Sequence, residues 1–171
     1  MKKLKIAVIV VACLIVVAVG GFGFIYSGLY NVSAIPPDDP VTTWVASTTL
    51  DHSVARHARG IEPPALCDAR LLSEGQGLYV ADCASCHGDA TQPPSGVGKG
   101  LRPSPPLLRE TAKDWTPAEL YWIVKNGIRM TGMPAWGGSY SDQDLWRVVA
   151  YTAQLPDLAA KSAPRASKPS H

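Results

Sequence analysis

Cys83-Ala84-Ser85-Cys86-His87 is the stretch that decides how this chain is read. Cys-x-x-Cys-His is the attachment sequence for a covalently held c-type haem, in which each thiol adds across one haem vinyl group to form a thioether. Two intervening residues set the sulfurs at the spacing of the vinyls on one short helical turn. His87, next in the chain, is then directed at the iron as its proximal ligand. Five residues thus imply one haem c, bonded through Cys83 and Cys86 and ligated by His87.

Plainer readings of the same residues are weaker. A redox-active Cys-x-x-Cys opens a helix after a strand, and no strand pattern precedes Cys83. A zinc site could be counted from Cys67, Cys83, Cys86 and His87, but adjacent Cys86 and His87 would both have to reach one tetrahedral metal, with no second close pair of ligands. A Cys83–Cys86 disulfide leaves His87 without a purpose.

Upstream, Ile6 to Ile25 is an unbroken apolar run of 20 residues, about 30 Å as a helix, which matches the hydrocarbon thickness of a bilayer. Lys2, Lys3 and Lys5 precede it and no charge follows until Asp38. That bias places the N-terminus in the cytoplasm and the rest outside. In bacteria haem is joined to this motif on that outer, periplasmic face, so the expected location is the inner membrane, crossed once. A cleaved signal peptide would have a shorter apolar core ending in a small-x-small site, whereas Val32-Ser33-Ala34 lies well beyond this one. Val10-Val11-Ala12-Cys13 resembles a lipoprotein cleavage box, but the run continues through it to Val19, which makes Cys13 a membrane-buried small hydrophobe. Tyr26 and Tyr30 fall where an interfacial aromatic belt would lie.

The remainder is one modest domain. Without Lys2, Lys3 and Lys5 the basic residues number 13 against 14 acidic ones, and without Lys161, Arg165 and Lys168 they number 10. The basic balance therefore belongs to the two ends, and no basic stripe points to nucleic acid. The expected organisation is a transmembrane anchor over 1–30, a linker with an amphipathic helix over 31–66, a haem domain over 67–158, and a disordered tail over 159–171. In the linker, Asp39 caps a helix with Pro40 at its first position, and Val41, Trp44, Val45 and Thr48 share a face suited to the domain or to a membrane partner. In the domain, helices are expected from Leu71 to Ala81, from the Thr116/Glu119 capping box to Gly127, and from Ser141 to Leu155 before Pro156. No stretch alternates with period two, so the fold class is all-α. Gly88 to Pro106 is too rich in glycine and proline for a helix and is suited to wrapping a haem edge.

With these residues in place the chain resembles the class I c-type cytochromes over roughly residues 70–158. Gly75, Tyr79 and Cys83 stand four apart, as in that family's first helix, and Val149-Ala150-Tyr151 looks like its crossing partner in the last. The whole layout resembles the membrane-anchored single-haem cytochromes of bacterial respiratory chains. The resemblance implies a class I fold of three main helices around the haem. It implies that Gly132-Met133-Pro134-Ala135-Trp136 is the distal loop, with Met133 as the second axial ligand, Met130 as the rival and Trp136 as the loop's aromatic. It further implies that a proline carbonyl accepts the proximal histidine's ring N–H, and Pro105 and Pro106 both qualify. His52 and His57 could supply a bis-histidine site, but read as polar residues of the preceding helix. Cys67 is a free thiol or an intermolecular bridge.

Two filled axial positions leave no place for a small-molecule substrate. The expected role is therefore electron transfer rather than enzymatic catalysis, between a redox protein donor and acceptor, or as a haem-carrying relay subunit of a larger membrane redox complex.

Overall fold

The computed structural model describes residues 1–162 and divides into two compact units, residues 1–36 and the residues from Pro37 onward. Among the described residues all regular structure is helical.

The first unit is helix α1, Lys2–Tyr26, which buries none of its residues and is long and apolar enough to cross a membrane.

In the second unit, helix α2 spans Pro40–His57. Asp39 caps it by accepting from the Thr42 N–H at 2.8 Å, with proline at the first turn where no donor is lost. Its C-terminal half is docked on the domain: Val54 is fully buried, and the His57 ring stacks on Trp122 at 5.4 Å. Helix α3, Ala69–Asp82, is capped by Asp68 and runs directly into a single turn, α4, Ala84–His87. Helix α7, Pro117–Asn126, begins with the complete Thr116/Glu119 capping box. Helix α8, Asp142–Ser162, begins where Ser141 accepts from the Asp144 N–H at 3.2 Å.

Two segments differ from the sequence reading. The Gly88–Pro106 loop contains one short helix, α5 (Gly96–Gly100), capped by the Ser95 hydroxyl, and beyond the loop lies another, α6 (Leu108–Thr111). Glycine and proline content lowers the odds of a helix, but one capped turn suffices here. Helix α8 does not stop at Pro156; it continues to Ser162, so the expected tail is helical at its start. An internal proline costs about 3 kcal/mol, while burying each leucine returns roughly 1.5–3 kcal/mol. Leu155 is fully buried and Leu158 packs beside it against Tyr79 and Tyr151, so packing wins. The rest of that tail, residues 163–171, lies outside the described residues.

The frame of the domain is the crossing of α3 and α8. A Cβ on Gly75 would sit 2.0 Å from the Arg147 carbonyl oxygen and 2.6 Å from its carbon, so only glycine admits this approach. Arg147 Nε meets Glu74 at 2.7 Å beside the crossing, and the Tyr79 and Tyr151 rings lie 5.3 Å apart below it. Gly75→Ala should destabilise the domain by about 1–3 kcal/mol, toward the upper end because the obstructing atoms are backbone. Denaturant unfolding should show that loss as a lower midpoint, with Gly77→Ala, which would meet nothing, as the control.

Candidate functional site

Helix α3 delivers Cys83 to the interior. Its side chain packs against two clusters, one of Leu120, Tyr121, Val124, Leu145, Val148 and Val149, the other of Tyr79, Tyr151 and Leu155. Cys86 lies one turn on and is half-buried. Burial, with Asp82 and Cys86 nearby, pushes the Cys83 thiol up to about 12. A redox-active Cys-x-x-Cys needs a thiolate stabilised in a polar, electropositive setting. This site does the opposite, and the thiol stays a protonated, apolar-packed group.

His87 is buried. Its Nδ1 lies 2.9 Å from the Pro106 carbonyl oxygen, and since a carbonyl only accepts, Nδ1 carries the proton. Burial lowers the ring's pKa, against an opposing push from the Pro106 bond, so the imidazole is neutral at neutral pH. Nε2 has no hydrogen-bond partner among the described residues, which leaves a lone pair of fixed direction. The turn beyond is held by the Tyr79 hydroxyl, which donates to the Gly88 carbonyl at 2.7 Å, and burial raises that phenol's pKa so it stays protonated.

Met133 reaches the first of the two clusters that receive Cys83. Its N–H donates to the Thr131 hydroxyl at 3.0 Å and its carbonyl accepts from the Ile128 N–H at 3.2 Å, so its backbone is fixed on both sides. Met130 is 92% exposed and has φ +62°, a left-handed conformation that points it into solvent. Met130→Gly should relieve that conformation and raise stability by about 1 kcal/mol, read as a higher unfolding midpoint with an unchanged haem spectrum. Trp136 begins a single 3₁₀ turn, Trp136–Gly138, and packs against the same cluster as Met133, its ring 5.7 Å from Tyr140.

The donor set suits a haem. A neutral histidine with one free ring nitrogen, a soft thioether and two thiols on one helical turn are the groups that macrocycle and iron require. A zinc site finds no such support. Cys67 is exposed, and among the described residues no three His, Cys, Asp or Glu side chains group closely enough for a metal ion. His57 is engaged with Trp122 and, through Nδ1–H, with the Ser53 carbonyl at 2.7 Å. His52 borders a surface cleft of about 630 Å³ beside Asp51, Pro106 and Trp115.

Three supporting residues escape sequence reasoning. The Tyr140 hydroxyl donates to Asp82, tying the segment after the Met133 loop to the residue before Cys83. Gly127 has φ +66°, and a Cβ there would lie 2.7 Å from Pro134 C and Ala135 N, so it seats the Met133 loop against the end of α7. Arg109 donates to the Gln92 carbonyl at 3.3 Å and braces the loop after His87. Only Gly127 carried a signal, as the glycine that ends a helix.

Residues 70–151 match the family described as "Cytochrome C oxidase, cbb3-type, subunit III". The "Cbb3-type cytochrome c oxidase subunit CcoP" of Azospirillum sp. (strain B510) is 32% identical over 92 residues, covering 52% of this chain and 30% of that protein. The chain therefore spans under a third of the length of this curated relative.

Proposed function

We propose, from the premise that residues 70–151 are a class I c-type cytochrome domain, that this chain is a membrane-tethered carrier of single electrons. In this reading Cys83 and Cys86 bond one haem c, His87 and Met133 hold its iron, and the redox partners are proteins on the outer face of a bacterial cytoplasmic membrane. The organisation is an anchor over 1–30, a connecting segment over 31–66 and the haem domain from 67. The lysines before α1 support that orientation.

The observation that carries the reading is His87, buried, neutral, and locked through Nδ1–H to Pro106 with Nε2 free. When bound, haem c would supply a reversible ferric/ferrous couple. The chain's own residues set its conditions. Pro106 fixes the imidazole's tautomer and raises its basicity. Met133 offers a neutral, soft ligand, which favours the ferrous state. Tyr79 and Gly127 hold the two ligand-bearing segments in place.

The comparisons favour a second reading, a fixed relay within a larger membrane redox complex, since both matches are described as subunits of a cbb3-type oxidase. Purification of the full chain in mild detergent separates the two. A free carrier runs alone, whereas a subunit comes out with partners. Either way, a redox titration should give one reversible one-electron wave; its absence overturns both readings.

A further inference from the structure

Helix α2 changes character at Leu50. Beyond it the helix is charged and docked on the domain, through Val54, His57 and Ala58. Before it, Pro40–Leu50 carries no charge, and Val41, Trp44 and Val45 are 67%, 67% and 50% exposed. Spaced i, i+3 and i+4, they form one apolar face. The remaining side chains of this half are mostly Ser and Thr, and the hydroxyls of Thr42, Thr43, Ser47 and Thr49 turn back onto the helix or its cap. Thr43 donates to the Asp39 carbonyl, Ser47 to that of Trp44 and Thr49 to that of Val45, while Thr42 donates to the Asp39 carboxylate. Water-facing helices make such pairings too, and they also leave this half-helix fit for a drier setting. In a water-poor setting each hydroxyl left unpaired would cost free energy.

The chain that leads into this half-helix has the same nature. From Ile6 to Leu50 the charged residues are Asp38 and Asp39 alone, and Leu29, Tyr30, Val32 and Ile35 are all exposed. An uncharged apolar face led by tryptophan, continuing in sequence from a membrane-spanning helix, has the composition of an interfacial segment. We propose that the Val41–Val45 face of α2 lies in the headgroup and upper acyl region of the same bilayer that α1 crosses, so that α2 orients the haem domain on the membrane. This rests on the anchored reading of α1.

The test uses the full, haem-loaded chain in phospholipid nanodiscs containing a lipid with a diazirine on its upper acyl chain. After irradiation and digestion, mass spectrometry locates the lipid adducts. Adducts are expected on α1 and on residues 41–45, and not on Val80 or Val97, which are 53% and 72% exposed elsewhere on the domain. Trp44→Glu with Val45→Glu alters only exposed side chains; it should keep the haem spectrum and lose the adducts at 41–45 while α1 remains labelled. Adducts confined to α1 in the wild type overturn the interfacial assignment and leave anchoring intact, as they would if a protein partner covers this face. Adducts on 41–45 that survive the double substitution overturn it as non-specific labelling. Absence of adducts on α1 overturns the anchored reading and this inference with it.

Discussion

Met133→Ala should erase the near-infrared sulfur-to-iron charge-transfer band of the oxidised protein, open the reduced protein to carbon monoxide, and lower the midpoint potential. The band requires a thioether on ferric iron, and carbon monoxide requires a vacant axial position. The potential should fall by on the order of 0.1 V or more, within the ~0.8 V span that axial ligation commands, because a ligand that favours ferrous iron has gone. The substitution removes a side chain that packs on the core cluster, but it leaves the fixing points of the loop in place. The loop is held by the backbone of Met133, through Thr131 and Ile128, and by the seat at Gly127, none of which depends on the side chain. Met130→Ala, at a residue in solvent, should leave all three properties nearly unchanged. The reverse pattern would move the ligand to Met130.

Cys83→Ala together with Cys86→Ala should abolish haem retention through acid-acetone extraction of the denatured protein, while the wild type stays coloured. Alanine is small and favours the helix, so α3 and the following turn should survive, and the loss reports chemistry rather than unfolding. Without haem, burial pushes the Cys83 thiol up to about 12, which keeps it protonated and disfavours disulfide exchange, and with haem bonded the sulfur would be a thioether, so in neither state should the motif behave as a dithiol redox centre. Wild-type haem that washes out, or a double variant that stays coloured, would remove covalent attachment from the account.

Three of the helices that sequence made legible carry local start signals. Asp39, the Thr116/Glu119 pair and Ser141 each act within four residues, and each caps the helix it announces. The Cys83–His87 turn is legible for the same reason, since its chemistry is contained in five consecutive residues. What sequence left open depends on contacts between distant positions. Pro105 and Pro106 are equivalent in sequence, and only the folded loop brings the carbonyl of Pro106 to His87, 19 residues away. Tyr140 and Asp82 are separated by 58 positions, and no periodicity connects a tyrosine after one loop to an aspartate at the end of a helix. Pro156 read as a stop because its local cost is visible in sequence, whereas the burial of Leu155 and Leu158 that overrides it is a tertiary effect.

If His87 and Met133 both hold the iron, as proposed, this chain's own side chains fill both axial positions and its chemistry is electron transfer. Exposure of the reduced full-length protein to carbon monoxide, followed by visible absorption, tests this most directly. The spectrum should barely change, because the Met133 thioether must leave before the gas can bind. Rapid and complete conversion to a carbon monoxide adduct in the wild type would contradict it and mark the site as a ligand-binding one.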